Sequence, residues 1–351
     1  MLHALTTGGR RTRSILALVL GLALVVAACS DDAETTEADQ PSETTVAATT
    51  DDAEEAAPAE ESDTEEADAE SVDAESPARI DEVSDSGMRI TIQEADGVTV
   101  HSLTAVEEVF ANSTHVIETE NSLVLVDTQF LLPNALEMRA YADALGKPID
   151  RMFITHEHPD HFLGSEAFAD LDLYALAEVS ERIAAAGDAE IAEKQADFGT
   201  EAIASTFVTP EVVEPGTIEI DGVTMELEKV LDAEADFQLV VKLPDHGVAV
   251  VGDIVYSGVH LIVAGNPPTW IEALEGLKVD ADRYPIVLAG HGMPTDPSAY
   301  DANIAYLTTV SELLGSVDNP DDYRQGLLDT YPERGMAPAV DFAIPFLFPE
   351  S

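Results

Sequence analysis

Regular alternation of apolar and polar positions begins only near Met88 and then continues along the chain. Such alternation and short apolar runs predict β-strands. The predicted strands are residues 88–93, 98–103, 113–118, 122–127, 152–154, 173–176, 237–243, 247–251 and 286–289. Two more strands lie within residues 217–231, where Asp221-Gly222 is a strong hairpin signal.

Helices are predicted between these strands from apolar positions that recur at helical spacing. The segments are residues 132–145, 162–171, 177–186, 188–204, 270–277, 299–314 and 321–328. The tail at residues 337–348 carries prolines and aromatic residues and is expected to dock on the body. Two sheets sandwiched between outer helices accommodate this order of elements.

The first 29 residues have the pattern of a secretory signal. Arg10, Arg11 and Arg13 precede an apolar run at residues 15–26, which is too short to read as a membrane-spanning helix. The next residues, up to Cys29, resemble a bacterial lipobox, in which this cysteine is lipidated and becomes the mature amino terminus. The resemblance implies a lipoprotein anchored to the cell membrane on its extracytoplasmic face. An ordinary cleavable signal with an incidental cysteine is the alternative.

Residues 31–85 differ from both neighbouring segments, because they contain 22 Asp or Glu and only one Arg. Such a segment cannot bury enough apolar surface to offset the entropy of ordering it. We predict a disordered tether, with an acidic interaction tail as the alternative. The predicted organisation is a signal peptide with a lipobox at residues 1–29, an acidic tether at 30–86 and a folded domain at 87–351.

The formal net charge of −53 is shared between the predicted tether and the predicted domain. Residues 86–351 alone contain 12 basic and 47 acidic residues, a charge of −35. A negative field of this size repels polyanions and argues against nucleic acid as a partner. It also raises the hypothesis that the domain is adapted to high salt. Cys29 is the only cysteine, so no disulfide can form within the chain.

The candidate chemistry is concentrated in Thr155-His156-Glu157-His158-Pro159-Asp160-His161, which follows a short apolar run. Side chains two residues apart in an extended segment point the same way, so His156 and His158 can chelate one cation. Asp160 and His161 come where the chain bends into a predicted helix, and they aim at a neighbouring point. The spacing therefore indicates two adjacent metal positions. Imidazole favours zinc, and the carboxylate also tolerates harder ions.

This His-x-His-x-Asp-His motif resembles the signature of the metallo-β-lactamase fold superfamily. The resemblance implies an α+β four-layer αββα sandwich. It also implies that Asp253, in Gly252-Asp253, bridges two metal ions, and that His291, in Gly290-His291, completes the second position. Asp160, His161 and His291 would hold the second ion.

The sequence departs from the family pattern at the third histidine of the first metal position. Before the strand at 237–243 the chain reads Leu231-Asp232-Ala233-Glu234-Ala235-Asp236, without a histidine. Counting back from the strand places Glu234 at this position, which resembles the alkylsulfatase-like branch of the superfamily. Asp232 or Asp236 takes the role if the register differs. A degenerate site that has lost this ligand is the rival interpretation.

Three further residues are candidates for roles around the metals. Asp127 ends an apolar strand at a place where the superfamily commonly has a supporting Asp, although a strand-end cap is an equal alternative. Tyr256 and His260 follow the proposed bridging Asp253 and could contact substrate or a developing oxyanion. Buried structural roles for these two residues are weighted equally.

The resemblance implies a lipid-anchored, extracytoplasmic metal-dependent hydrolase that acts on a small molecule. Two divalent ions, zinc in the first instance with manganese or iron as alternatives, would share a hydroxide that attacks an ester-like bond. Asp160 and Asp253 are the catalytic candidates. The bond could belong to an ester, a lactone, a sulfate ester or a β-lactam. An iron-dependent, oxygen-using enzyme of the same fold and a non-catalytic envelope binding module remain as alternatives.

Overall fold

The computed structural model describes residues 80–349, whose strands form two sheets. The first sheet has eight strands in chain order, which are β1 (Glu82–Val83), β2 (Arg89–Ala95), β3 (Val98–Thr104), β4 (Ser113–Glu118), β5 (Leu123–Val126), β6 (Ile149–Phe153), β7 (Leu173–Ala175) and β8 (Glu211–Val212). Neighbours from β1 to β5 are antiparallel, and neighbours from β5 to β8 are parallel.

The second sheet has five strands, which are β9 (Gly216–Ile220), β10 (Val223–Leu231), β11 (Phe237–Leu243), β12 (Val248–Ser257) and β13 (Ile286–Gly292). They lie in the order β13-β12-β11-β10-β9, and only β12 and β13 are parallel neighbours. Asp221 and Gly222 both adopt positive φ at the tip of the β9–β10 hairpin, as the sequence predicts.

Seven α-helices accompany the sheets in the described part of the chain. They are α1 (Leu132–Ala144), α2 (Pro159–Phe162), α3 (Ala177–Phe198), α4 (Pro267–Lys278), α5 (Ser298–Ser316), α6 (Pro320–Thr330) and α7 (Pro338–Leu347). Short 3₁₀ helices span Glu107–Val109, Leu163–Phe168 and Ala281–Arg283. No helix among residues 80–349 is both long enough and apolar enough to cross a membrane.

The two faces of the second sheet bury different sets of side chains. In β11, Leu239 and Val241 belong to the core that also contains the first sheet, α1 and α3, whereas Val240 belongs to the core with α4 and α5. This alternation follows from the two-residue repeat of a strand. It produces four layers in the order helix, sheet, sheet, helix, and the predicted αββα sandwich is confirmed. β5 is fully buried along its length, as a strand covered on both faces must be.

Helix α3 corrects the prediction of two helices at residues 177–186 and 188–204. The chain forms one helix of 22 residues, and Gly187 lies inside it. A Cβ at this position would stand 2.5 Å from the ring of Phe207. Gly187 is therefore a point of close packing and does not break the helix.

Other element boundaries also differ from the sequence prediction. The segment at residues 162–171 is divided between α2 and the 3₁₀ helix Leu163–Phe168. β12 continues past Val251 to Ser257, with register irregularities around Gly252. β1 pairs with β2, so the folded part includes residues that the sequence assigned to the tether. Cys29, the signal segment and most of the predicted tether lie outside the described residues.

Candidate metal centre

The ends of parallel strands bring the predicted ligands to one edge of the sandwich. The histidine motif follows β6, Asp253 lies in β12 and His291 lies in β13. Seven imidazole or carboxylate side chains form two groups, and within each group the candidate ligand atoms lie within 4.8 Å of one another. The first cluster contains His156, His158, Glu234 and Asp253, and the second cluster contains Asp160, His161 and His291.

Asp253 connects the two clusters. Its Oδ2 lies 3.7 Å from His156 Nε2 in the first cluster and 2.9 Å from His291 Nε2 in the second. Its Oδ1 lies 3.2 Å from His161 Nε2. On the other side, Asp160 Oδ2 lies 3.4 Å from His161 Nε2 and 3.3 Å from His291 Nε2. One buried carboxylate thus stands within reach of both possible metal positions.

The buried histidines are oriented by contacts on their outer nitrogens. His161 Nδ1 donates to Asp127 Oδ2 at 2.9 Å, and His291 Nδ1 donates to the carbonyl of Phe110 at 2.7 Å. His156 Nδ1 lies 3.0 Å from the hydroxyl of Thr155. Each contact leaves Nε2 facing the clusters, which is how proteins usually fix the rings of metal-ligating histidines.

Asp127 adopts a left-handed backbone conformation, with φ of 63°. Its carboxylate accepts hydrogen bonds from the amide and the hydroxyl of Thr155, both at 2.8 Å, as well as from His161. A left-handed non-glycine residue is uncommon and costs conformational energy. The strain places one side chain where it supports both the motif loop and a histidine of the second cluster.

Glu234 lies in the middle of the five-residue loop between β10 and β11, here called the Glu234 loop (residues 232–236). Its Oε2 lies 3.1 Å from His158 Nδ1 and 3.6 Å from His156 Nε2. Gln238 also donates to this oxygen, at 3.3 Å. Asp232 is exposed, and Asp236 binds Arg182 at the surface. The chain therefore brings Glu234, and neither neighbouring aspartate, into the first cluster.

Gly290 is required by the close approach of β13 to Asp253. A Cβ at this position would lie 1.8 Å from Asp253 Oδ1 and 2.8 Å from the carbonyl carbon of Gly252. No side chain fits such a gap. The glycine lets the two parallel strands bring Asp253 and His291 together.

Burial and mutual charge give the four histidines different pKa values. Burial holds the pKa of His156 well below its usual range, so its imidazole is neutral. Burial also lowers the pKa of His158, but the charge and hydrogen bond of Glu234 outweigh this effect and raise the pKa to about 9. The same competition raises the pKa of His161 and of His291, where the charge of Asp253 is the main opposing cause.

The carboxylates show the complementary behaviour. Burial raises the pKa of Asp253, but the charges of His161, His291 and His156 outweigh it and hold the pKa well below the usual range. Burial is also the main cause that raises the pKa of Glu234. Protons on histidines thus balance part of the negative charge in the cluster.

The donor set fits metal ions. His161 Nε2 and Asp253 Oδ1 are buried and face the clusters; they lie 3.2 Å apart, but neither makes a hydrogen bond of good geometry with any residue among 80–349. Buried polar atoms without partners are costly unless an ion or water satisfies them. Imidazole nitrogens and carboxylate oxygens are the usual ligands of zinc and of related first-row ions. The first cluster offers four such groups and the second offers three, with Asp253 adjacent to both.

The two candidates beyond Asp253 have different positions. Tyr256 donates to Asp253 Oδ2 at 3.2 Å, and its ring stacks on His291 with a centroid distance of 4.6 Å. The Asn303 side chain accepts a hydrogen bond from the backbone amide of Tyr256 and donates one to the backbone carbonyl of Tyr256. His260 instead contacts the hydroxyl of Tyr306, 3.0 Å from its Nδ1, and lies among buried structural residues. The contacts of His260 support its structural interpretation.

Sequence reasoning missed several groups that support the clusters. The carbonyl of Phe110 orients His291 from a 3₁₀ turn distant in sequence, and no side-chain pattern signals such a contact. Gln238 and Arg182 were also missed. Arg182 is one of many charged residues in α3, so no signal in the sequence indicates that it lies near the clusters.

Comparisons with known proteins give a family and a fold. A sequence model of the metallo-beta-lactamase superfamily matches residues 108–291, more than half of the 351-residue chain, and this range contains both clusters. No curated protein sequence matches the chain.

Three solved structures illustrate the likeness in fold. A metallo-beta-lactamase from Pontibacter korlensis aligns with a TM-score of 0.51 and 18% identity, covering 63% of this chain and 99% of that chain. A metallo-beta-lactamase from Hirschia baltica gives 0.47 and 22%, covering 62% and 97%. The metallo-beta-lactamase FIM-1 from Pseudomonas aeruginosa, in its mono-zinc form, gives 0.49 and 16%, covering 63% and 96%. The fold assignment rests on the first alignment, and identities this low carry no substrate information.

Proposed function

Because this chain belongs to the metallo-beta-lactamase superfamily, we propose that it is a metal-dependent hydrolase that cleaves an ester-like bond in a small molecule. One observation carries the proposal. Seven ligand-type side chains converge in two adjacent clusters, and Asp253 reaches both. Two adjacent metal positions are the arrangement used in hydrolysis by two ions.

The residues divide between two metal positions. His156, His158 and Glu234 would hold the first ion, and Asp160, His161 and His291 would hold the second, with Asp253 within reach of both positions. When bound, the two ions supply an activated water and polarise the bond to be cleaved. Zinc is the expected metal, since four of the seven ligands are imidazoles.

The residues of the chain prepare this site for chemistry in three ways. Asp127 and the Phe110 carbonyl keep the inner nitrogens of His161 and His291 aimed at the clusters. Tyr256 donates a hydrogen bond to Asp253 Oδ2, and burial together with the Asp253 charge raises its pKa well above the usual range, so the hydroxyl stays protonated. It therefore orients the shared carboxylate. Asp160 is only partly buried, which leaves it accessible to a water molecule or substrate.

Glu234 gives the first position one more negative charge than a neutral imidazole would. A more negative donor set makes the metal a weaker Lewis acid and makes harder ions such as manganese or iron more competitive. The resemblance of Glu234 to the alkylsulfatase-like branch favours esters and sulfate esters, and lactones and β-lactams are also in the panel to be tested.

We also propose that the enzyme is a lipoprotein on the extracytoplasmic face of the cell membrane. The support is the basic and apolar amino-terminal pattern that leads to Cys29. Growth with a labelled fatty acid should label the wild-type protein, and Cys29→Ser should lose the label and the membrane association together. Label that persists in the variant would refute acylation at this residue.

Metal content of the purified full-length chain, measured by elemental mass spectrometry, is the primary test of the enzymatic proposal. We expect two divalent ions per chain, and hydrolysis of at least one member of a panel of esters, lactones, sulfate esters and β-lactams. Hydrolysis should disappear with a chelator and return with zinc. A chain that binds no metal after reconstitution would refute the proposal.

A further inference from the structure

The guanidinium of Arg182, in helix α3, contacts both loops that carry candidate ligands of the first cluster. Arg182 Nη1 lies 2.5 Å from Glu157 Oε1, and its Nη2 lies 2.5 Å from Asp236 Oδ2. The guanidinium carbon also lies 5.0 Å from the centre of the Phe237 ring, at the start of β11. One planar group thus joins the histidine motif, the Glu234 loop and the strand that follows it.

The two carboxylates are placed next to ligands in the chain. Glu157 lies between His156 and His158, and Asp236 lies two residues after Glu234. The guanidinium fork has fixed geometry, so two simultaneous pairs set the distance between the loops. A lysine in place of Arg182 could hold only one partner in this way.

The Glu234 loop needs such a restraint. Glu234 is buried, and its carboxylate lies within 4.8 Å of the Asp253 carboxylate, so like charges meet at this point of the loop. In β11, the neutral side chain of Gln238 donates a long hydrogen bond, 3.3 Å, to Glu234 Oε2. His158, 3.1 Å from Glu234 Oε2, attracts the carboxylate, but this contact fixes one side-chain atom and not the backbone of the loop. Arg182 restrains that backbone through Asp236.

We propose that Arg182 is a positioning residue that holds the Glu234 loop against the histidine motif and thereby sets the metal affinity of the first cluster. This inference rests on the proposed function, because it presumes that the clusters bind metal. The second cluster has no ligand in the Glu234 loop, so its affinity should depend little on Arg182. Exposed ion pairs add little to the stability of a fold, so the main effect belongs in ligand geometry.

Two variants separate the positional effect from a simple field effect. Arg182→Met removes a positive charge near the metals, which by itself would tighten cation binding. Asp236→Ala removes a negative charge, which by itself would loosen it. If Arg182 acts by position, both variants loosen the first metal, because each breaks the bridge. If Arg182→Met binds the first metal more tightly and Asp236→Ala binds it more weakly, the proposal is overturned.

The measurement is stepwise binding of zinc to the full-length chain by competition with a chromophoric chelator. We expect each variant to weaken one binding step by roughly 10- to 100-fold, the usual effect of losing a residue that orients a ligand. The other step should change by less than about threefold, which is within the effect of a distant charge in salt. The variant that combines Arg182→Met with Asp236→Ala should bind zinc no more weakly than Asp236→Ala alone, because the two residues act as a unit.

Two matched controls come from the same chain. Arg139→Met removes a guanidinium that also bridges two carboxylates, Asp143 and Asp170, at 3.1 and 2.5 Å, but neither flanks a ligand. Asp232→Ala makes the same charge change in the same loop as Asp236→Ala, without touching Arg182. Both controls should bind zinc as the wild type does.

The outcomes are distinguishable from failure of the proposed function. A wild-type chain that binds no zinc refutes the hydrolase. A wild type with two bound ions, and an Asp236→Ala variant that binds both with unchanged affinity, refutes the clamp alone. If Arg182→Met does not fold because Glu157 is left buried without its partner, Asp236→Ala still decides, since it leaves that pair intact.

Discussion

At the scale of single residues, the centre depends on how each ligand is held as much as on which ligands are present. Asp127 illustrates this, because one carboxylate accepts three hydrogen bonds from Thr155 and His161 while its own backbone is left-handed. Strained residues persist where the surrounding contacts determine them. The strain in Asp127 is therefore linked to the position of His161.

In the proposed centre, the metal preference of the first position would depend on Glu234. We expect Glu234→Ala to lower zinc affinity at this position by at least roughly the 10- to 100-fold that loss of an orienting partner costs. Glu234→His should keep two ions and shift preference from manganese towards zinc, because imidazole is the softer donor. Elemental analysis after dialysis against mixed metals measures both effects.

Asp232→Ala serves as the control for this pair of variants, since Asp232 is exposed in the same loop. Full retention of both ions in Glu234→Ala would mean that Glu234 is not a ligand.

The zinc affinity of the first cluster should fall as the pH is lowered from about 9. The pKa of His158 is raised to about 9 by Glu234 despite burial, so below this pH zinc must displace a proton from the imidazole. The expected slope is roughly one log unit of affinity per pH unit, from one displaced proton. Competition titrations between pH 6.5 and 9 measure it.

His158 should also make the free energy of unfolding of the metal-free protein depend on pH. The folded pKa of His158, about 9, lies above the usual histidine value of about 6.5, so its contribution is present below about pH 6.5 and is lost as the pH rises through about 9. Urea unfolding of the metal-free chain should show this loss, and saturating zinc should remove it. A contribution that grows with pH over this range would contradict the assignment.

At the scale of elements, the centre is assembled by two pairs of parallel strands. β5 and β6 carry Asp127 and the histidine motif, and β12 and β13 carry Asp253 and His291. The carboxyl ends of parallel neighbours lie at the same sheet edge, which is why distant segments meet there. The hydrogen bond from Leu239 N to the Thr155 carbonyl, 2.8 Å, connects the two sheets beside the site.

Gly290→Ala tests how closely β13 must approach β12. A Cβ would collide with Asp253 Oδ1, so we expect loss of one or both metals and a destabilisation of about 1–3 kcal/mol from overpacking. Metal analysis and urea unfolding measure the two effects.

Gly276→Ala is the matched control, because Gly276 is exposed in α4 and a Cβ there meets nothing within 4 Å. This variant should gain about 0.5–1 kcal/mol, since alanine is the better helix former. Wild-type metal content in Gly290→Ala would show that the strands can separate without harm to the site.

At the scale of the whole molecule, charge is the dominant property. Residues 86–351 carry a formal charge of −35, and such self-repulsion destabilises a compact state. Added salt screens this repulsion, because the Debye length falls from about 10 Å at 0.1 M to about 3 Å at 1 M.

We therefore expect the melting temperature of the chain to rise with potassium chloride between 0.1 and 1 M. A gain of ~1 kcal/mol corresponds to about 2–4 °C for a domain of this size. Differential scanning calorimetry in the presence of saturating zinc measures it, with sucrose as an uncharged control. A melting temperature that does not change with salt would refute adaptation to high salt.

Much of the fold and of the motif was determined by local sequence. Strands such as β4 and β11 were predicted with the bounds that the structure gives, because period-two alternation is a local property. His156, His158, Asp160 and His161 could be grouped because they lie within six residues on one strand–turn–helix unit. Glu234 could be selected by its distance from β11. Family resemblance, and not pattern alone, pointed to that distance for Glu234 and supplied Asp253 and His291.

Tertiary structure alone decided which distant groups share the centre. Tyr256 stacks on His291 whereas His260, four residues later, turns to Tyr306, and no local pattern separates these two outcomes. Helix α3 runs unbroken through Gly187, and the ring of Phe207 packs against this glycine, a contact that helix propensity cannot predict. Arg182 meets Glu157 and Asp236 only because α3 packs beside two loops from different sheets. Sequence spacing determines which side chains share an element, but contacts between elements depend on how whole faces pack.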